Sequence, residues 1–179
     1  MIFVRRGATT GAALASPLLA LLLASCGVTT DQRACPGVEV ISSLNRQVQF
    51  RDAGGRDQND VAFVARIGDV RSRCAAAESN VTTDLSITIV GQRGPAGARL
   101  PSAEITYFVA VIDGQRHIIT EQRFSDRLVF DGTGQARITD DLQEKLPTNP
   151  IKSASDHGVI VGFQLTPDQV NLNETQPDR

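Results

Sequence analysis

Few side chains in this sequence are of types that do chemistry, and their spacing decides what they can do. Ser155, Asp156 and His157 are the residue types of a hydrolytic triad. A triad assembles from separate places in a chain, however, and three neighbours on one loop are badly placed to converge. They read as a polar loop, and there is no G-x-S-x-G elbow elsewhere. Asp140, Asp141 and Glu144 carry oxygen ligands of the kind Ca²⁺ takes, but without EF-hand spacing they read as a solvated acidic segment. The stretch "DGTGQA", residues 131–136, has two glycines but not the spacing of a phosphate loop, and reads as a hairpin turn. His117 and His157 lie far apart in sequence, so no metal site and no cofactor is expected. Arg66, Arg71 and Arg73 flank Gly68-Asp69. Arg71 and Arg73 share a strand face with Asp69, opposite Val70 and Cys74. Such a patch could meet lipid head groups, cell-wall polymer or a partner protein, and equally describes the solvent face of an antiparallel strand. No catalytic residue is assigned, and the chain reads as non-enzymatic.

The three cysteines, Cys26, Cys35 and Cys74, are more telling. Ahead of Cys26, Arg5 and Arg6 precede an apolar run from Ala12 to Ala24, which Pro17 interrupts. That run has the length of a signal-peptide core and is too short to span a bilayer. Leu23-Ala24-Ser25-Cys26 resembles the lipobox of bacterial lipoproteins. The resemblance implies that the Cys26 thiol is alkylated with diacylglycerol, that residues 1–25 are removed, and that the new amino group is acylated by a fatty acid such as palmitate. Each buried CH₂ contributes about 0.8 kcal/mol, so three acyl chains would hold the protein firmly on a membrane. Gly27, not Asp, follows the cysteine. In the enterobacterial sorting rule of this family that favours the outer membrane, facing the periplasm; the inner membrane stays open because the rule varies between bacteria.

With Cys26 lipidated, Cys35 and Cys74 remain as an even pair in an exported chain, most simply a disulfide. Residues 27–34, "GVTTDQRA", form a polar tether spanning at most about 25–30 Å, which keeps the domain close to its membrane. Removing Arg5 and Arg6 takes the net charge from −2 to about −4. An acidic surface disfavours nonspecific binding to nucleic acid. Partners are expected among envelope proteins or cell-wall polymer.

What must position these residues is a set of strands. Val81, Leu85, Ile87 and Ile89 alternate with Thr82, Asp84, Ser86 and Thr88, the period of a half-buried strand. Val61, Phe63, Ala65 and Ile67 form a similar face, and Gly68-Asp69 reads as a tight turn into Val70–Cys74. Tyr107, Val109 and Val111 lead through Asp113-Gly114 into a hairpin partner at 116–120. Further strands are expected at 124–130 and 159–165, and an opening strand or pair around Val38, Val40, Val48 and Phe50. "TDDLQEKLP", 139–147, has Leu142 and Leu146 at helical spacing and is expected to form a turn or two of helix. Thr166-Pro167-Asp168-Gln169 has the pattern of a capping box opening a short helix. "GQRGPAGARLPSAE", 91–104, is the longest loop-like stretch, either a binding loop or a passive connector.

Many short alternating strands with one disulfide predict an all-β, immunoglobulin- or fibronectin-III-like antiparallel sandwich, with a small β-barrel as the other closed solution. The organisation expected is a signal peptide at 1–25, a lipidated tether at 26–34, one sandwich domain at 35–170 and a polar tail at 171–179. "HGVIVGFQLTPDQV" and the Cys35/Cys74 frame resemble uncharacterised proteobacterial envelope lipoproteins, which implies no activity. The function expected is a lipid-anchored binding or scaffolding module, a candidate subunit of an envelope assembly. The alternative is a cell-wall-associated enzyme or ligand-binding lipoprotein, its pocket between the 91–104 loop and His157.

Overall fold

A computed structural model of the chain describes residues 4–5, 35–51, 57–77, 80–147 and 156–176. Cys26 and the tether lie outside the described residues, as does all of the leader except Val4–Arg5. The elements among the described residues are β1 (Val4–Arg5), β2 (Gly37–Val40), β3 (Arg46–Phe50), β4 (Val61–Ala77), β5 (Asn80–Arg93), β6 (Ser102–Ile112), β7 (Ile118–Val129), β8 (Gln135–Pro147), β9 (Gly158–Phe163) and an α-helix, α1 (Pro167–Thr175). They form two sheets, ordered β1-β8-β5-β4-β3 and β2-β9-β6-β7. The sheets stay separate and pack face to face, so the chain is an all-β sandwich and not a barrel.

Alternation builds the core. Val81, Leu85, Ile87 and Ile89 of β5 are almost wholly buried, as are Tyr107, Val109 and Val111 of β6 and Val159, Val161 and Phe163 of β9. Each large apolar side chain removed from water contributes about 1.5–3 kcal/mol. With no Trp in the chain, the aromatic part of this layer is Phe, including Phe63 against Phe130, and one Tyr, Tyr107 stacked on Phe124 at 5.3 Å.

From β3 onward the chain crosses between sheets at β5–β6, β7–β8 and β8–β9, while β3–β4–β5 and β6–β7 are hairpins within a sheet. These are the crossings that place strands B and E in one sheet and C and F in the other in immunoglobulin-type sandwiches. The closing strand differs. After β9 the chain turns into α1, and the place beside β9 is taken by β2 from the front of the domain, which pairs parallel to it. β2 and β3 are therefore in different sheets and are not the opening pair that their sequences permitted.

Four local expectations are corrected. Gly68-Asp69 is not a turn. β4 runs straight through it, with Ile67 opposite Ile89 and Asp69 opposite Thr88, which leaves Gly68 as the extra residue of a β-bulge. A bulge flips the side-chain phase, which is why 61–67 and 70–74 look like separate strands. Likewise 118–120 and 124–129 are parts of one strand, β7. Residues 139–147 are strand, not helix: thirteen successive residues of β8, Gln135 to Pro147, pair with β5. Finally, α1 extends through Thr175 behind the capping box of Thr166 and Gln169. Much of the polar end expected to fray is thus helix, and Asn173 within it is buried.

The 91–104 segment is a fastened connector. Residues up to Arg93 belong to β5 and those from Ser102 to β6. Between them Gly94 donates to the Ala62 carbonyl at 2.8 Å, and Arg93 donates to the carbonyls of Ala98, Leu100 and Asp131. Gly94 and Gly97 lie directly on the β4 backbone, and a Cβ at Gly97 would overlap the Ala62 carbonyl oxygen. Gly97→Val should therefore cost about 3 kcal/mol or more in urea denaturation, since backbone must move to admit the side chain. A loss under 1 kcal/mol would show the loop to be free to shift.

Candidate functional site

Cys35 and Cys74 are disulfide-bonded, their Cα atoms 5.8 Å apart. Cys74 lies on the inward phase of β4 beyond the bulge, opposite Thr83. The bond sits near the end of the sandwich formed by the β4–β5 hairpin.

The three arginines of the predicted patch divide between two environments. Asp69, Arg71 and Arg73 point to the outer face of the sheet, beside Thr88, Ser86 and Asp84. Arg71 meets Asp69 at 2.8 Å, but the Arg71 side chain is 82 % exposed, and such pairs contribute little. Arg66 lies on the other side of the bulge, further along the same face. There it is directly opposite Arg46 of β3.

That second environment is a groove of about 480 Å³ on the outer face of the five-stranded sheet. Its floor is apolar, from Val48 and Phe50 of β3, Val64 of β4 and Val90 of β5. Leu172 and Gln176 at the end of α1 wall one side; Asp57-Gln58 and Gly94-Pro95 border the end. Arg46, Arg66 and Arg93 are its cations, and Asp57 is the one carboxylate among its described lining residues. Arg46 is 2 % exposed. Its Nε donates to Asn173 Oδ1 at 3.0 Å and a terminal nitrogen to the Gln176 carbonyl at 2.9 Å. Asn173 in turn donates to the carbonyls of Ser43 and Arg46. The helix thus fixes a buried guanidinium at the groove wall. Sequence reading missed Arg46 altogether. The available signal was phase: Val64 and Val90 are apolar residues on the polar side of alternating strands.

β8 carries the second concentration of polar chemistry, and here the sequence expectation fails. Asp140 and Glu144 are not solvated; both point inward in phase with Leu142, and only Asp141 is exposed. Alternation thus puts Asp141 on the opposite face, and the three carboxylates cannot converge on one Ca²⁺. Tyr107 donates its hydroxyl proton to Asp140 Oδ2 at 2.6 Å. Glu144 is fully buried, and both its carboxylate oxygens, like the hydroxyl of its cross-strand neighbour Thr83, have no hydrogen-bond partner. Burial pushes the Glu144 carboxyl above its ordinary range, because desolvation penalises the charged form. The folded state therefore binds this proton more tightly than the unfolded chain does. The pH-dependent part of its cost is absent below the ordinary carboxylate range and grows as pH rises through the raised value. Glu144→Gln should raise stability at pH 8 by about 1 kcal/mol or more and give little change at pH 4. Equal effects of the substitution at the two pH values would refute the assignment.

The exposed turns behave in the usual opposite sense. Asp113 accepts from the backbone of His117 and Gln115, and Asp131 from the Thr133 hydroxyl and the Gln135 backbone, which holds both carboxyls below the ordinary range. Their contribution is present at neutral pH and lost as pH falls through the lowered values. Arg116 (φ 66°) and Gly134 (φ 81°) take the left-handed turn positions.

His157 precedes Gly158, which pairs with Ile112 at the far end of β6; the 94–101 connector precedes Ser102 at its near end. Eleven strand residues, about 35 Å, separate the two, so they cannot share a pocket. Ser155 lies outside the described residues. Comparison with protein-family models gives no match, and no curated protein is significantly similar to the chain.

Proposed function

We propose that the chain is a bacterial envelope lipoprotein, anchored through lipid on Cys26 and facing the periplasm, with the outer membrane favoured by Gly27. Its sandwich acts as a non-enzymatic binding or scaffolding module, a candidate subunit of an envelope assembly. The observation that carries this reading is the Cys35–Cys74 disulfide at the tether end of the domain. Structural disulfides belong to oxidising compartments, and this one reinforces the point where a lipid tether of only eight residues would pull. Exposed Ile118, Ile119 and Val129 lie along β7, an edge of the four-stranded sheet, and sheet edges are surfaces on which partners dock. The other reading, a lipoprotein that binds a small ligand, draws support from the groove.

In-cell crosslinking from a photoreactive residue placed at Val129 tests the scaffolding role. Adducts with envelope proteins are the expected product. Adducts confined to cytosolic proteins would refute the reading.

A further inference from the structure

We propose that β8 is a self-association edge, along which two copies of the chain pair antiparallel about a two-fold axis at Thr139. On one side β8 pairs with β5 from Gln135 to Pro147, with no shift of register. On the other side β1 meets only Leu142 and Gln143. Residues 135–141 therefore face no strand on that side among the described residues. A long, regular edge of this kind is a template for a further strand, whose main-chain hydrogen bonds supply the affinity.

The outward side chains of β8 select a second copy as the occupant. Arg137, Thr139 and Asp141 alternate onto the outer face and are exposed. Neither Arg137 nor Asp141 has an ion-pair partner among the described residues. An axis at Thr139 sets Arg137 of each copy directly opposite Asp141 of the other. Directly opposed residues have Cβ atoms about 4.5–5.5 Å apart, where opposite charges and Thr–Thr pairs both favour association. The Thr139 hydroxyl already meets that of Thr88 at 3.1 Å, so the threonine row would continue across the axis. Charge also rejects other registers. An axis at Asp141 would set that carboxylate against itself and Arg137 against Lys145. An axis at Gln143 would match Asp141 with Lys145, but β1 lies there. On β7, the long edge of the other sheet, Arg123 and Arg127 are already paired with Glu121 and Glu104. Residues 137–141 can pair without touching β1, so the inference does not depend on removal of the leader or on lipidation of Cys26.

The test is sedimentation equilibrium of the full purified chain in density-matched detergent. A reversible dimer is expected, weakening as salt rises. Arg137→Asp and Asp141→Arg each turn two attractive pairs into two repulsive ones, and each should weaken the dimer about tenfold. The exchanged variant, carrying Arg137→Asp and Asp141→Arg together, should recover most of the wild-type affinity. An equal mixture of the two single variants should dimerise more tightly than either alone, because each then faces its opposite. Circular dichroism establishes that the variants fold; both positions are exposed, so folding should survive. A chain that stays monomeric would overturn the proposal, whether or not a foreign strand binds β8. A dimer indifferent to the single reversals, or one that the exchanged variant and the mixture fail to restore, would overturn it as well.

Discussion

Replacing Cys35 and Cys74 together by serine is expected to lower the stability of the domain by about 4 kcal/mol. The bond closes a loop with a sequence separation of 39 residues, and the chain-entropy estimate for a loop of that size is about 4 kcal/mol at 25 °C. In a domain of this size such a loss lowers the Tm by roughly 10–15 °C. The structure makes the loss specific as well as large. β2 has four residues, and among the described strands its ladder is with β9. Cys35 lies two residues ahead of it, so the bond to Cys74 pins its entry to the opposite sheet. Without that bond β2 should fray first and open the edge of β9. Guanidinium denaturation of the oxidised wild type and the double serine variant measures the difference, and hydrogen exchange at Val38 and Val40 locates it. A difference under 1 kcal/mol would show that the bond is incidental. Two free thiols in denatured, unreduced protein would show that it does not form.

Cys26→Ala is expected to have an all-or-none effect on location. With the thiol gone there is no nucleophile to take diacylglycerol, incorporation of radioactive fatty acid should cease, and the protein should leave the membrane pellet or accumulate with its leader attached. No other attachment is expected of the acidic domain, since anionic membrane faces attract basic surfaces. Cys35→Ser in the same assay should stay labelled and membrane-bound, which separates the lipid from the disulfide. Persistent labelling of the Cys26→Ala protein would sink the anchor.

The sandwich was legible because its inward positions are apolar at period two, as in Val81 to Ile89 and Tyr107 to Val111. The parts that escaped are those where local and tertiary signals diverge. Leu142 and Leu146 satisfy helical spacing and strand spacing together, and only the length of β5 decides between them. Asp140 and Glu144 sit on inward positions, where their polarity argues for solvent; the Tyr107 hydroxyl accounts for the first, while the second remains a cost. At Gly68 an inserted residue resets the alternation, so one long strand resembles two. The groove was hidden for a different reason. Arg66 was visible as one of three neighbouring arginines, but its partner Arg46 is twenty residues away in sequence, and cross-strand register does not appear in a linear pattern. Arg46 itself is held by Asn173, from a segment whose composition reads as a tail. The disulfide, by contrast, followed from setting Cys26 aside, which left a pair.

The central claim is a lipid on Cys26, and the amino-terminal peptide of the mature protein tests it most directly. Trypsin cutting after Arg33 should release Cys26–Arg33, "CGVTTDQR", and mass spectrometry should find it beginning at Cys26 and carrying diacylglycerol with an amide-linked acyl chain. An unmodified Cys26 within a longer peptide that still contains "LLLAS" would contradict the account.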